Sequence, residues 1–401
     1  MQLVERHIVK GSEYQDLCVK AKNLYNQALY YWRQSIFGNI QYFSEYELTG
    51  LFAEYKEENY ISLPAQTSQQ IIKLLFKNVK SWQKARKEYF KHPSSFLGRP
   101  KLPKYKKELS IVLFTNQQVK LKDGFVSFPK ICGLPKLKTR VDNICQVRII
   151  PNSNHFIIEV VYEKQEQSQQ KYNGNWMGID LGLNNLASCA TKQSATIHNG
   201  KPLKSINQFY NKRKAILQSG LPKNQYKTKR IDRLTLRRNN KVENYIHQIS
   251  NKIIKQAQHE NVTKIIIGNN KNWKQEVNLG KKTNKNFTSI LHSSLIEKIK
   301  YKGFMTGIEV IVTQEAYTSK CSALDLEPIQ KHEKYIGKRR KRGLFVTSTG
   351  KLINADINGA LNIARLGLSA TGNEIIISDL VVRVALAPKK KNVLSHKTAC
   401  N

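Results

Sequence analysis

Acidic residues are scarce in this chain. It holds 29 Asp and Glu against 67 Lys and Arg among its 401 residues, a formal net charge of +38 at pH 7. Self-repulsion on this scale is relieved when the chain binds a polyanion. Nucleic acid is the expected partner, because contact with many phosphates releases condensed counterions. A peripheral membrane protein is disfavoured, since the basic residues are spread along the whole chain rather than gathered on one amphipathic helix.

Cysteine is sparse as well, and long apolar runs are missing. The six cysteines lie far apart, with no pair at metal-ligand spacing and no disulfide framework, which fits a reducing cytoplasm. The N-terminus lacks the apolar core of a signal peptide. The most apolar late stretch, residues 375–387, is short and carries Asp379 and Arg383, so it cannot span a bilayer. We therefore expect a cytoplasmic protein without membrane contact.

The N-terminal part changes from helical to strand periodicity. Residues 1–10 are predicted to form a lone strand, and residues 11–97 carry apolar side chains at helical spacing. From residue 109 the apolar side chains alternate, as in strands. The interpretation is a small antiparallel β-barrel, or wedge, built from residues 1–10 and 98–168, with a helical bundle inserted into it.

The second half alternates strands with helices from about residue 174, which indicates an α/β sheet. Residues 264–267 are predicted to form a fully apolar fourth strand, and residues 308–312 a fifth. A strongly basic helical region precedes the fourth strand. Because acidic residues are scarce nearby, we favour phosphate contact over a merely solvated charged face. The basic residues concerned are Lys212, Arg213, Lys214, Arg237 and Arg238.

Two aspartates stand in predicted strand and helix positions. Asp180 lies between Ile179 and Leu181 in an apolar strand that turns at Gly182. A buried carboxylate is costly unless a cation or hydrogen bonds compensate it, whereas a solvated Asp at a strand end is the alternative. Asp356 lies in the predicted first turn of a helix far downstream. One Asp on a strand and one at a helix start is how RNase H-like nucleases assemble a metal site.

Several segments carry a family resemblance. Residues 178–187, GIDLGLNNLA, resemble the first RuvC motif of the TnpB (insertion-sequence OrfB) family, which are transposon-encoded relatives of type V CRISPR effectors. Residues 354–365, NADINGALNIAR, resemble the third RuvC motif. Residues 317–320 look like the family's YTS segment, and residues 98–105 resemble its Pro-rich basic segment. The presence of all four segments, in the order that they have along the family's chains, indicates the family over roughly residues 1–366.

The resemblance implies a multidomain α+β and α/β architecture. The wedge-like barrel would carry a recognition lobe at residues 11–97, and an RNase H-like (RuvC) α/β nuclease domain would follow at residues 169–366. The implied function is an RNA-guided DNA endonuclease of a transposon. It would bind a guide RNA from the transposon end, read a short motif beside a double-stranded DNA target and cut both strands at one RuvC site. We expect a monomer, in a prokaryotic cytoplasm and at the nucleoid when bound to DNA.

The expected metal site departs from the family pattern. In the family the fourth strand ends in a Glu, whereas Gly268 stands at that position here. Glu276, in a basic loop, and Glu315, at the end of the fifth strand, are the candidate replacements. Glu315 is preferred because the fifth strand is expected to lie beside the fourth, with the site at the carboxyl ends of the strands. The predicted catalytic and metal-binding residues are therefore Asp180, Glu315 and Asp356.

Hard carboxylate oxygens suit Mg²⁺, with Mn²⁺ as a possible substitute, and two such ions would serve phosphodiester hydrolysis. If no carboxylate replaces the missing Glu, the chain is a nuclease-inactive, RNA-guided DNA-binding repressor. A DNA-strand transposase with the same fold is a third interpretation. The helical bundle inserted in a barrel opposes it, as does the lack of a separate domain for recognising DNA ends.

A second departure concerns zinc. The family commonly has a four-Cys zinc ribbon between the YTS segment and the third RuvC motif, and only Cys321 is present here, so we predict no zinc. Residues 316–350 are instead expected to be a basic insertion that loads the target strand. Residues 367–401 lie outside the resemblance and are expected to form a basic, disordered tail. The insertion's predicted nucleic-acid-binding residues are Lys338, Arg339, Arg340, Lys341 and Arg342.

Overall fold

The chain forms two compact units, Met1–Gln165 and Glu166–Asn401. Among the described residues, no helix is both long and apolar enough to cross a membrane. The computed structural model describes residues 1–38, 42–152, 155–165, 168–269, 292–341, 343–375, 377–386 and 388–391.

The helices of the first unit form where the sequence places apolar residues at helical spacing. A capping box starts the second of them: the Ser44 hydroxyl accepts a hydrogen bond from the Glu47 amide at 3.3 Å, and the Glu47 carboxylate accepts one from the Ser44 amide at 2.7 Å. Trp32 is fully buried and Trp82 partly, with ring centroids 6.3 Å apart, so these aromatic residues belong to the core. The helices are α1 (Ser12–Phe37), α2 (Glu45–Glu54), α3 (Glu58–Ile61) and α4 (Ala65–Lys91).

The strands of the first unit form two open sheets, so the predicted closed barrel is wrong. Within the described residues, the four-stranded sheet runs β1-β7-β6-β2 and the three-stranded sheet β3-β4-β5, and no pairing joins the two edges of the larger sheet. The physical reason is that α1 and α4 pack on the larger sheet and share one apolar core with it, which buries its inner face without closure. The strands are β1 (Gln2–Val9), β2 (Val112–Thr115), β3 (Lys120–Lys122), β4 (Phe125–Ser127), β5 (Leu137–Lys138), β6 (Gln146–Asn152) and β7 (His155–Glu163).

The second unit is built on a six-stranded mixed sheet in the order β12-β11-β8-β9-β10-β16. Strand β8 lies inside it, parallel to β11 and antiparallel to β9, and β11 is parallel to β12. A separate three-stranded sheet contains β13, β14 and β15. The strands are β8 (Trp176–Leu181), β9 (Asn185–Thr191), β10 (Ala195–Asn199), β11 (Lys264–Gly268), β12 (Glu309–Thr313), β13 (Lys338–Lys341), β14 (Leu344–Val346), β15 (Leu352–Asn354) and β16 (Lys389–Lys391).

Helices cover both faces of the six-stranded sheet, which explains why β8 and β11 are mostly apolar, with Asp180 on β8 and Lys264 on β11 as the charged exceptions. On β8, Met177 and Ile179 belong to the core that includes α6 and α7, whereas Trp176 belongs to the core that includes α8 and α9. Because side chains alternate along a strand, Gly178 and Asp180 face α8. The helices of this unit are α5 (Lys201–Ser219), α6 (Lys229–His259), α7 (His292–Met305), α8 (Ala355–Ser369) and α9 (Asp379–Leu386).

Helix α8 lies unusually close to the sheet. A methyl group built on Gly178 would lie 2.1 Å from the Ala360 carbonyl oxygen, so only glycine fits at this position of β8. The same close approach brings the first turn of α8 next to the end of β8. The packing of Gly178 thus sets the distance between the two segments that carry Asp180 and Asp356.

Two described segments of the region that the sequence suggested to be a disordered tail, residues 379–386 and 389–391, form a helix and a strand. Val381 and Ala385 of α9 are buried in the core that includes α8, and β16 pairs in parallel with β10 at the edge of the sheet. Sheet pairing uses backbone groups, so a run of lysines can occupy an edge strand. The three consecutive lysines, Lys389–Lys391, therefore form a strand although their charge had suggested a disordered segment.

Candidate active site and nucleic-acid surface

Strand β8 presents Asp180 on the face of the sheet that α8 covers. Its neighbour β11 is aligned so that Ile267 pairs with Ile179, which brings Gly268 level with Asp180 on the same face. Gly268 in turn pairs with Thr313 of β12. The position that carries Glu in the resembled family therefore lies directly beside Asp180, and here it has no side chain.

The carboxylate of Glu315 occupies the space above Gly268. A methyl group built on Gly268 would lie 2.5 Å from Glu315 Oε2 and 2.5 Å from Ile363 Cδ1, both far inside van der Waals contact. Glu315 lies two residues beyond the end of β12, the strand that pairs with β11, and its side chain reaches back over Gly268. A carboxylate from the segment just after the adjacent strand thus stands where a side chain at position 268 would project.

Asp356 lies in the first turn of α8, as predicted. Asn354 caps this helix: its side-chain oxygen accepts hydrogen bonds from the Asp356 amide at 2.9 Å and the Ile357 amide at 3.3 Å. Asn185 Nδ2 donates to Asp356 Oδ2 at 2.6 Å, and Arg339 lies with a guanidinium nitrogen 3.8 Å from Asp356 Oδ1. The carboxylate, 31% exposed, is held between these two partners at the helix N-terminus, where the helix dipole favours negative charge.

The three carboxylates form one electrostatic cluster. Burial raises the pKa of Asp180 well above its usual value, the charges of Glu315 and Asp356 raise it further, and the charge of Arg339 acts in the opposite direction. Burial also raises the pKa of Glu315 to about 7. Carboxylates that repel one another in a desolvated site are stabilised by a bound cation.

The donor set fits a divalent cation in its chemistry but is not gathered around one point. Oxygen-only ligands suit Mg²⁺ or Mn²⁺. Over the described ranges, no group of three or more His, Cys, Asp and Glu side chains is arranged to hold a metal ion. Asp356 is instead engaged by Asn185 and Arg339. Glu276, the other candidate ligand, lies outside the described residues.

The predicted basic residues fall on three elements. Lys212, Arg213 and Lys214 lie on α5, and Arg237 and Arg238 lie on α6, which packs against α5. The remaining four described residues make up β13, all of them exposed, and Arg342 lies outside the described residues. One of the four, Arg339, has the Asp356 carboxylate as its partner, a contact that the sequence did not indicate.

The sequence did not indicate two residues that contact the candidate site. Asn185, within the first motif, holds Asp356, and the buried ring of His292 lies 3.0 Å from the Gly182 carbonyl oxygen at the turn after β8. Asn185 was visible as part of the GLNN segment, but nothing in the sequence paired it with Asp356. His292 follows a stretch without any recognised motif, so no signal pointed to it.

The two other Asn residues of the third motif act on the loop that contains the YTS segment. Asn358 Nδ2 donates to the Cys321 carbonyl at 2.8 Å, and its Oδ1 accepts from the Ala323 amide at 2.9 Å. Asn362, one helical turn on, donates to the carbonyls of Thr318 and Cys321. Both Asn side chains are fully buried, so this helix face fixes the path of the loop towards the site.

Two carboxylates pin the rest of that loop, in the region where the resembled family has its zinc ribbon. Glu327 is buried and accepts hydrogen bonds from the amides of Ser322 at 2.6 Å and Ile336 at 2.8 Å. Asp325 accepts from the Ser322 hydroxyl, the Ser348 amide and the Ser348 hydroxyl at 2.6–2.9 Å. Although partial burial opposes it, these hydrogen bonds lower the pKa of Asp325.

Two family models match successive parts of the chain. Residues 159–274 match the OrfB_IS605 family, described as "Probable transposase". Residues 292–363 match the family described as "Cas12f1-like, TNB domain". A curated relative, the CRISPR-associated endodeoxyribonuclease Cas12f2 of Micrarchaeota archaeon (strain CG1_02_47_40), is 25% identical over 292 residues, 67% of this chain and 51% of that protein. The chain thus spans about half the length of this curated relative.

The solved structures that match the chain are distant from it in sequence. CasPhi-2 (Cas12j) bound to crRNA has a TM-score of 0.50 at 10% identity, covering 92% of this chain and 98% of that one. A Cas12f1–sgRNA–target DNA complex has a TM-score of 0.38 at 18% identity, covering 91% and 99%. The first of these likenesses indicates a shared mixed α/β multidomain fold.

Proposed function

Because the chain is a TnpB-like relative of the type V CRISPR effectors, we propose that it is an RNA-guided DNA endonuclease. One observation carries the proposal. The Glu315 carboxylate stands over Gly268, beside Asp180 and on the face that α8 covers, where the family's missing Glu would project. The chain therefore retains three acidic side chains at the carboxyl ends of β8, β12 and the start of α8, which is the set that a RuvC-type nuclease requires.

The second unit is proposed to be an RNase H-like (RuvC) domain. Its sheet supports this assignment: an antiparallel β10-β9-β8 meander continues through parallel β11 and β12, with helices on both faces. The candidate site lies where the parallel strands end, which is where open α/β sheets bind their ligands.

In this proposal, Asp180, Glu315 and Asp356 would hold Mg²⁺, or Mn²⁺ in its place. When bound, the metal supplies an activated water and charge stabilisation for phosphodiester hydrolysis. The protein's own groups position the ligands. Asn185 fixes one oxygen of Asp356, and the cap at Asn354 fixes the helix turn that presents it. The Arg339 guanidinium offsets the negative charge of Asp180 and Asp356 before cation and phosphate arrive.

The proposed partners are a guide RNA from the transposon end and a double-stranded DNA target bearing a short adjacent motif. The relatives support this choice, because the similar solved proteins were bound to crRNA or to sgRNA with target DNA. The net charge of +38 supplies the required phosphate affinity. Sequence would be read by base pairing, and the protein would read only the flanking motif. We propose that the protein acts as a monomer in the cytoplasm.

A nuclease-inactive, RNA-guided repressor is the second candidate. The absence of a carboxylate at Gly268 favours it, as does the engagement of Asp356 by Arg339. Against it stands the desolvated cluster itself, because two or more repelling carboxylates destabilise the fold unless a ligand uses them.

Plasmid cleavage by the protein copurified with its guide RNA, in Mg²⁺, tests the proposal. We expect Glu315→Gln to abolish cutting while target binding persists. Glu309→Gln, on the same face at the other end of β12, is the matched control and should cut normally. Inactivation by Glu276→Ala with active Glu315→Gln would refute the relocated ligand but not the nuclease. Wild-type protein that binds its target without cutting would establish the repressor.

A further inference from the structure

A cleft of about 710 Å³ runs between α5 and α6, away from the carboxylates. Aromatic and aliphatic side chains line it together with Arg and Lys, and none of its described lining residues is acidic. The carboxylates of α6, Asp232 and Glu243, do not contribute to the described lining. The basic lining residues are Arg213, Arg230, Arg233, Arg237, Arg238 and Lys241.

The floor of the cleft is already ordered. Tyr210 and Thr235 join the two helices through their hydroxyl groups at 3.1 Å. Arg238 donates to Asn207 Oδ1 at 2.7 Å, and its guanidinium lies 5.7 Å from the centre of the Tyr210 ring. These contacts fix the floor of the cleft in place before any ligand binds, so binding there requires little reorganisation.

The aromatic group available to a ligand is Phe209, which is 62% exposed and lines the cleft. Arg213 lies one helical turn further along α5, and Arg233 and Arg237 lie one turn apart on α6, all three exposed. An exposed aromatic face flanked by guanidinium groups matches a nucleotide, with its base on the ring and its phosphates on the arginines.

We propose that this cleft binds an unpaired nucleotide of single-stranded RNA, with its base stacked on Phe209 and the flanking phosphates held by Arg213, Arg233 and Arg237. Paired bases are excluded because their faces are already stacked within the duplex. RNA is the favoured strand, since proteins recognise it mainly at unpaired loops and bulges by stacking on aromatic and Arg side chains. The inference rests on the proposed function only in taking a guide RNA as the resident ligand.

Fluorescence quenching of 2-aminopurine tests the stacking directly. The probes are a single-stranded RNA of about 16 nucleotides with one central 2-aminopurine, the DNA of the same sequence, and the RNA duplex. We expect the purified protein to quench the single-stranded RNA most strongly. Phe209→Leu should remove the quenching and weaken RNA affinity roughly 5- to 160-fold, the range measured for loss of one stacked base. Phe209→Trp should retain both.

The matched control is Tyr226→Leu. Tyr226 lies in the segment that connects α5 to α6 and is 69% exposed, but it is not one of the residues that line the cleft. It should bind and quench as the wild type does. Arg233→Gln combined with Arg237→Gln should lower the salt dependence of RNA binding while leaving residual quenching. Circular dichroism of each variant checks that the helices are intact.

Each contrary result overturns the inference. Unchanged RNA affinity and quenching in Phe209→Leu would exclude stacking in this cleft. Equal quenching of the duplex would exclude an unpaired base, and stronger binding of the DNA strand would replace RNA by a displaced DNA strand. Phe209-dependent quenching in a protein that never cuts its target would uphold the cleft and refute the proposed endonuclease, so the two failures are distinguishable.

Discussion

The space above Gly268 gives the sharpest prediction. In Gly268→Ala the new methyl group would lie 2.5 Å from Glu315 Oε2, whereas ordinary contact begins at 3.4 Å, so the carboxylate or the methyl must retreat by 3.4 − 2.5 = 0.9 Å. Ile363 Cδ1, also 2.5 Å away, belongs to a fully buried side chain, so a second neighbour crowds the methyl group. Displacing a catalytic group by about 1 Å lowers rates by about 100-fold.

Single-turnover plasmid cleavage by the guide-loaded variant in Mg²⁺ measures this loss. Urea unfolding should show a further cost of about 1–3 kcal/mol for overpacking. Gly50→Ala is the control, because a methyl group there meets nothing within 4 Å. Gly268→Glu combined with Glu315→Gly should recover part of the activity, since the restored Glu would lie level with Asp180. If Gly268→Ala cuts at the wild-type rate while Glu315→Gln is inactive, Glu315 does not work from this space.

Three further predictions concern pH, charge and burial. The pKa of Glu315 is about 7 in the folded chain and 4.5 in the unfolded chain, so the folded chain binds more protons between these pH values. The free energy of unfolding of the metal-free protein should therefore fall by up to ~3 kcal/mol as pH rises through this window. Glu315→Gln should flatten that slope in pH-dependent urea unfolding. Arg339→Gln should change the unfolding free energy by less than about 1 kcal/mol, yet shift the acidic limb of the cleavage–pH profile upward, because the Arg339 charge favours ionised Asp180. Asn358→Ala would leave the Ala323 amide and the Cys321 carbonyl without their Asn358 partner. The free energy of unfolding in urea should therefore fall by about 1–3 kcal/mol for each of these two groups.

The controls for these predictions come from the same chain. Added Mg²⁺ should stabilise the wild type more above pH 7, where the Glu315 carboxylate is ionised, than below it. Equal stabilisation on both sides of pH 7 would contradict the interpretation that the three carboxylates form a cation-binding cluster. Arg340→Gln, in the same exposed strand, should leave the pH profile unmoved, and an identical shift there would make Arg339 only one charge among many. Asn240→Ala, at an exposed site of α6, should not alter stability, and a loss as large as that of Asn358→Ala would remove the case for the buried pairs.

The sequence pattern was sufficient to locate Asp180 on an apolar strand and Asp356 in a first helical turn. Both placements follow from local periodicity, which depends on neighbouring residues only. The preference for Glu315 over Glu276 rested on strand adjacency, and the structure has β12 beside β11 as expected. The closeness of Glu315 to Gly268 was not predictable, because it also depends on how α8 packs Ile363 against them.

Other features depended on contacts between distant parts of the chain. Whether β1 and β2 close a barrel is decided by the helices that cover the sheet, so alternation along each strand could not exclude closure. Strand β16 formed from lysines because an edge strand needs backbone partners more than apolar side chains. The Asn185–Asp356 and Arg339–Asp356 contacts join residues that the sequence separates widely, and no spacing rule pairs them.

The loop held by Asp325 and Glu327 has a consequence for the behaviour of the protein at low pH. Hydrogen bonds among groups of the chain itself hold the loop closed. One of the acceptors is the Asp325 carboxylate, so we expect acid to loosen the loop. Since the pKa of Asp325 is lowered in the folded chain, the stability that it contributes is present above its unfolded pKa and is lost as pH falls through the folded one.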